Sequence, residues 1–267
     1  MAGIELLRYL FENGSDGVVV CGTTGEAATL DDDEHLAFIE TIITATRREY
    51  PDKTVIAGVG SNDTRHAVKL TERASALRPD GLLSVNPYYN RPSEKGIIAH
   101  YEQVDAATDL PVLLYNIPAR TGSGLSNDLL AELGQRFENI VGVKQTVTAN
   151  LALIDGLAVY AGNDEDVAAA LDLGAAGGIC TLTHLFGPLF QRMAQDPAAR
   201  TQINASLSEA YRDFGIAPLA VTNKAALKLI GMNVGGVRLP YIELDENELA
   251  VIRAQLVHHG LIREQIA

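Results

Sequence analysis

The chain has 267 residues, 47% hydrophobic and 21% charged, so it can bury a large core, and α/β barrels often use this length as one domain. A net charge of -13 and a pI near 4.8 argue against a nucleic-acid or anionic-membrane partner. No apolar run approaches the roughly 18 residues that cross a bilayer, and Cys21 and Cys180, both in apolar runs, read as reduced core residues of a cytoplasmic protein, not as a disulfide framework.

The first segment, MAGIELLRYLFENGSDG, repeats Ile4, Leu7, Leu10 and Phe11 at helical spacing. Glu5 and Arg8 inside that pattern argue against a signal peptide. Strands are expected at GVVVC (17–21), TVIAGV (54–59), GLLSV (81–85), PVLLY (111–115), IVGVK (140–144), LAVYA (157–161) and GGICTL (177–182). Helical patterns such as DDEHLAFIETIITATRREY, TRHAVKLTERASAL and EDVAAALDLG alternate with them. Continuous apolar strands separated by helices imply a parallel α/β sheet covered on both faces, either open or closed into a barrel. After about residue 183 the strand signals stop, and helical patterns near 198–213, 219–231 and 245–260 remain. The expected organisation is a catalytic β/α stretch over 1–196 and a helical C-terminal domain over 197–267. Seven strands are one short of a closed (β/α)₈ barrel, and the chain opens on a helix where such a barrel opens on a strand.

Chemistry in such sheets sits at the carboxyl ends of the strands. Those positions hold Gly22-Thr23-Thr24-Gly25-Glu26, Asn86-Pro87-Tyr88-Tyr89, Tyr115 with Asn116-Ile117-Pro118-Ala119-Arg120, Lys144, Gly162-Asn163-Asp164 and Gly177-Gly178-Ile179. Glu26 and Asp164 are the only acids on this rim, so it is not a paired-carboxylate hydrolase site. The histidines at 35, 66, 100, 184, 258 and 259 lack ligand spacing, which argues against a metal. No G-x-x-x-x-G-K-[ST] or G-x-G-x-x-G loop follows a strand.

A desolvated lysine among neutral hydroxyls suits one reaction class: its amine adds to a ketone and forms a Schiff base. Tyrosine and threonine hydroxyls can move the protons that carbinolamine formation and dehydration require. Arg120 offers a bidentate carboxylate clamp, and backbone N–H groups around Thr23-Thr24 offer a second carboxylate site, so an α-keto acid is implied. Taken singly, each residue also has a plainer role. Lys144 could reach solvent, Tyr115 could be a core tyrosine, Arg120 could pair with a surface acid, GTTGE could be a helix-capping turn, and Tyr88-Tyr89 could be packing or interface aromatics. Their arrival on one rim favours the functional reading.

GTTGEAATL, NPYYNRPSEKG, LLYNIPARTG, VGVKQT, YAGND and GAAGGIC together resemble the dihydrodipicolinate synthase family, within the lyases that share the N-acetylneuraminate lyase fold. The resemblance covers nearly the whole chain. It implies a TIM (β/α)₈ barrel with a C-terminal helical extension, assembled as a homotetramer or homodimer. It implies that Lys144 forms the imine with pyruvate, that Tyr115 donates and accepts protons, and that Thr23 and Tyr89 complete the relay, Tyr89 reaching into a neighbouring subunit's site. Thr24 and Ile179 match pyruvate-holding positions, Gly162 lies close to the site, and Arg120 matches the arginine that receives the aldehyde's carboxylate. The implied reaction joins pyruvate to aspartate 4-semialdehyde on the route to diaminopimelate and lysine, with no cofactor beyond the covalent imine. A sugar-acid aldolase of the same fold is the alternative, and a catalytically inactive barrel serving as a binding module is a second.

Three departures stand out. VKQT has a glutamine where many members have an acid after the lysine. Of the residues at the lysine feedback site of some members, His35, Asn62 and Tyr88 fit while Ala27, Asp32 and His66 do not. The family's opening strand, which ends in a Thr-Pro turn, has no counterpart before Ala2, in keeping with the count of seven. Met1 is therefore expected to be an internal start, preceded by roughly 20–30 residues that include a strand of about 5.

Overall fold

A computed structural model describes residues 2–263. The strands are β1 (Gly17–Val20), β2 (Thr54–Gly58), β3 (Gly81–Val85), β4 (Val112–Asn116), β5 (Ile140–Gln145), β6 (Ala158–Ala161) and β7 (Gly177–Gly178). Helix α1 (Ala2–Glu12) precedes them, and α2 (Asp32–Glu49), α3 (Thr64–Ala76), α4 (Glu94–Asp105), α5 (Pro118–Thr121), α6 (Asn127–Arg136) and α7 (Val167–Leu173) lie between them. The chain then continues through α8 (Thr183–Gln195), α9 (Arg200–Ser206), α10 (Ser208–Phe214), α11 (Leu219–Leu229) and α12 (Glu246–His258).

The chain forms two compact units. One comprises Gly17–Gly22 and Leu30–Cys180; the other comprises Met1–Asp16, Thr23–Thr29 and Thr181–Ala267. The first holds the seven strands, all parallel and in sequence order. Parallel neighbours need a crossover; α-helices supply it in every connection but that from β5 to β6, which runs through a 3₁₀ turn at Thr148–Asn150, and all five β4 residues are buried. This is the curled (β/α) sheet of the TIM-barrel type. Its helices start where the sequence provides caps: Asp31, Asp63, Ser93 and Ser126 each accept a backbone N–H in the first turn of α2, α3, α4 and α6.

In the second unit, α1 packs with α8, and Phe214, Leu207, Leu256, Ile252 and Met193 are buried. Helix α12 opens on a capping box between Asp245 and Glu248. Together these helices form the C-terminal extension with α1 added to it.

The structure corrects three expectations. The last strand stops at Gly178 instead of running to 182. The Ile179 N–H adds one more bond, to the Ala161 carbonyl at 2.8 Å, and Leu182 already has helical φ/ψ at the start of α8. A short apolar run fits a buried strand and a buried helix start equally well. Helix α8 itself was hidden in the sequence by Gly187-Pro188. The proline is accommodated by a break at Phe186 (φ −112°, ψ 23°) instead of ending the helix. The pattern near 198–213 is two helices, α9 and α10, meeting at Leu207. The strand expected ahead of Met1 lies outside the described residues.

Candidate active site

Tyr115 on β4 and Lys144 on β5 are register partners, and Tyr160 on β6 is the next partner along. Side chains alternate across a strand, so Lys144 projects to one face while Val143 and Gln145 are buried on the other. Lys144 is half-buried, and its Nζ lies 4.3 Å from the centre of the Tyr115 ring, a cation–π distance. Tyr115 is 6% exposed and packs with Leu83 and Leu113, and Ile117, Tyr160 and Ile179 close in on that cluster. The amine therefore stands over an aromatic ring that is itself set in an apolar wall.

Gly162 is required by space. A Cβ there would lie 2.5 Å from Thr146 Cγ2, 3.0 Å from the Gln145 carbonyl oxygen and 3.1 Å from Lys144 Cγ. Its N–H donates to the Gln145 carbonyl at 2.7 Å, so β6 closes on the backbone beside the lysine. Beyond it, Asn163 Nδ2 donates to the Thr146 carbonyl (3.0 Å) and to Asp166 Oδ2 (2.9 Å), which also accepts from Thr148 Oγ1 at 2.9 Å. Burial, followed by the charge of Asp164, pushes the Cys180 thiol well above its usual pKa, against the opposing pull of Lys144. It is a poor thiolate nucleophile.

Two residues that the sequence reading gave no role fix the ends of β4 and β5. Asn116 Nδ2 donates to Gln145 Oε1 (3.0 Å) and to the Leu125 carbonyl (2.9 Å), while its Oδ1 accepts the Leu125 N–H at 2.9 Å. Gln145 Oε1 also accepts the Val147 N–H at 3.1 Å. The glutamine after Lys144 is thus a buried cross-strand tie. The only sequence signal for it was a pair of amides at adjacent strand ends.

Arg120 lies in the single turn α5, exposed, with Gly122 as its left-handed cap (φ +77°). Tyr89 is 90% exposed and has φ +71°, and its N–H donates to the Thr121 carbonyl at 3.2 Å. The tyrosine loop and the arginine turn are therefore tied together by backbone. Within the sheet unit, Lys144, Tyr115, Gly162 and Ile179 come together at the strand ends, and Tyr89 and Arg120 sit on linked loops.

Thr23 and Thr24 belong to the second unit. Thr24 Oγ1 is 3.4 Å from Thr181 Oγ1, and the Thr23 carbonyl accepts the Glu26 N–H at 3.1 Å. Glu26, one of the two acids expected on the rim, is not a free acid. Its Oε1 accepts the Arg238 backbone N–H at 2.9 Å and its Oε2 accepts a hydrogen bond from Lys224 Nζ.

A parallel β/α sheet with a lysine amine over a tyrosine at the strand ends, and an exposed arginine on the adjoining loop, has the outfit of the barrel lyases that work on carbonyl substrates. The model of the Dihydrodipicolinate synthetase family matches residues 2–259, and the chain belongs to that family. It is 37% identical over 275 residues to a 4-hydroxy-tetrahydrodipicolinate synthase of Heliobacterium modesticaldum, a match covering 96% of this chain and 88% of that protein. The crystal structure of the Cyanidioschyzon merolae enzyme with lysine bound superposes with a TM-score of 0.92 at 33% identity, covering 98% of this chain and 92% of that one. The chloride-inhibited Acinetobacter baumannii enzyme, complexed with pyruvate, superposes with a TM-score of 0.91 at 33% identity and the same coverage.

Proposed function

We propose that this chain condenses pyruvate with aspartate 4-semialdehyde to 4-hydroxy-tetrahydrodipicolinate, on the route to diaminopimelate and lysine. It acts as a Schiff-base lyase without a bound cofactor. The Lys144 amine adds to the pyruvate ketone, the carbinolamine loses water, and the imine loses a methyl proton to become an enamine. The enamine carbon attacks the aldehyde carbon and forms the C–C bond. The second substrate's amino group then displaces Lys144 from the imine, which closes the ring and returns the free lysine amine. Tyr115, Thr23 and Tyr89 carry the protons. Thr24, Ile179 and Gly162 serve pyruvate, and Arg120 receives the carboxylate of the aldehyde.

The observation that carries this reading is the pairing of Lys144 with Tyr115, amine over ring at 4.3 Å. Family membership over residues 2–259 supports the substrate pair. The exposure of Tyr89 supports a homotetramer or homodimer in which this side chain serves a neighbouring copy's site. Catalysis belongs to the stretch 1–196, with 197–267 as the helical appendage. The buried Cys21 thiol supports work in the cytoplasm. Among the described residues, no helix is long and apolar enough to cross a membrane.

The test is to incubate the protein with pyruvate and borohydride and measure intact and peptide masses. Reduction fixes an imine as a stable secondary amine, and the expected adduct maps to Lys144. A folded protein that gains no mass on Lys144 refutes the reading.

A further inference from the structure

We propose that Lys224 is a positioning residue for the Thr23–Thr24 turn, acting on it through the Glu26 carboxylate. The inference rests on the roles given above to Thr23 and Thr24.

Glu26 is 7% exposed and holds φ at +57°, a left-handed conformation that side-chain-bearing residues rarely adopt. A buried carboxylate needs partners, and each of its oxygens has one. Lys224 Nζ, on α11, donates to Oε2 and pairs with it electrostatically. The Arg238 backbone N–H donates to Oε1 at 2.9 Å. The same lysine also donates to the Gly236 carbonyl at 2.7 Å, which fixes the ammonium from two sides. Burial pushes the Glu26 carboxyl up, but hydrogen bonds from Lys224 and Arg238 and their charges outweigh it and hold it below the usual carboxylate value. It is an ionised anchor with both oxygens engaged, not an acid or base with a proton to exchange.

The backbone of Glu26 is equally committed. Its N–H donates to the Thr23 carbonyl at 3.1 Å, and its carbonyl accepts both the Thr29 N–H and Thr29 Oγ1 at 2.9 Å. The Arg238 guanidinium then donates to the Thr29 carbonyl at 3.0 Å. The segment Thr23–Thr29 is therefore organised around one residue whose side chain is gripped by α11 and the 236–238 loop. These seven residues belong to the same compact unit as the C-terminal helices. A shift of the Glu26 carboxylate moves the Thr23 carbonyl directly and Thr24 with it. Misplacement of a substrate-positioning group by about 1 Å can slow a reaction roughly 100-fold.

The experiment compares wild type with Lys224→Met, Glu26→Gln, the double variant and Lys224→Arg, each shown folded by circular dichroism at the assay temperature. Each variant is tested for its rate of pyruvate trapping by borohydride and for separate KM values for pyruvate and the aldehyde. Lys224→Met should trap pyruvate about 10- to 100-fold more slowly and raise the pyruvate KM, leaving the aldehyde KM near wild type. The double variant should be no worse than the more damaged single, since both cut one link, and Lys224→Arg should recover most of the rate.

A purely structural role would lower the active fraction without this split between substrates, and that result overturns the inference. Wild-type trapping in folded Lys224→Met overturns it as well. If Lys224→Met does not fold, Glu26→Gln decides in the same two ways. Absence of an adduct in the wild type would instead overturn the proposed function, which keeps the two failures distinct.

Discussion

Lys144 is the register partner of Tyr115, and its Nζ stands 4.3 Å above that ring. The ring and the hydroxyl thus have separable jobs. The ring is part of the buried wall with Leu83 and Leu113, and the hydroxyl is the group able to move protons. Tyr115→Phe keeps the wall and removes the hydroxyl. It should fold normally, with turnover reduced roughly 10²- to 10⁴-fold, the usual contribution of general acid–base catalysis. Steady-state kcat together with thermal melting checks this. A near-normal kcat reassigns Tyr115 to packing.

Gly162→Ala tests the close approach beside the lysine. The new methyl would sit 2.5 Å from Thr146 Cγ2 and 3.1 Å from Lys144 Cγ, so at least one of them must move. Overpacking of this kind destabilises by about 1–3 kcal/mol, and displacement of the lysine stem should slow imine formation as well. A drop in Tm accompanied by slower borohydride trapping is the expected pair of results. An unchanged trapping rate would confine Gly162 to backbone packing.

Much of the fold is legible in the sequence because β1 to β6 are continuous apolar runs bounded by turn residues, as strands covered on both faces must be. The end of β7 is not legible: Ile179, Cys180 and Leu182 continue the apolar run while the chain leaves the sheet for α8. Helix α8 is hidden because Gly187-Pro188 reads as a break, whereas tertiary packing converts it to a kink. Lys144 and Tyr115 are legible as members of one rim, but their facing register is set by strand pairing that no local pattern encodes. The partner of Glu26 is harder still, since Lys224 is 198 residues away in sequence. Only the folded chain shows that this acid of the GTTGE turn is a buried anchor.

His100 gives a signed pH prediction. It is 3% exposed, its Nδ1 is 2.9 Å from Thr64 Oγ1, and burial pushes its pKa from 6.5 down to about 4. Above the unfolded value both states hold it neutral, and it adds no slope. Between about 6.5 and about 4 the unfolded chain binds a proton that the folded protein excludes, so stability falls as pH drops. The full loss is at most about 3 kcal/mol, reached near the folded value. Urea unfolding between about pH 7 and about pH 4.5 should show a smaller decline for His100→Gln than for wild type. Equal declines would assign the acid sensitivity to other groups.

In the proposed reaction, Arg120 is the residue on which substrate choice turns. It is exposed at the end of the α5 turn, and among the described residues it makes no ion pair, so a structural surface bridge does not account for it. A guanidinium presents two parallel N–H donors to a carboxylate, and a hydrogen bond to a charged group contributes roughly 1.5–3 kcal/mol. Arg120→Ala should therefore raise the aldehyde KM by roughly 10- to 100-fold while the pyruvate KM moves little. Arg120→Lys keeps the charge but loses the fork, so its aldehyde KM should fall between those of the alanine variant and the wild type. Separate KM measurements on the three proteins decide it. Parallel loss for both substrates would make Arg120 a general electrostatic contributor. No loss for either would move recognition of the aldehyde's carboxylate to another group.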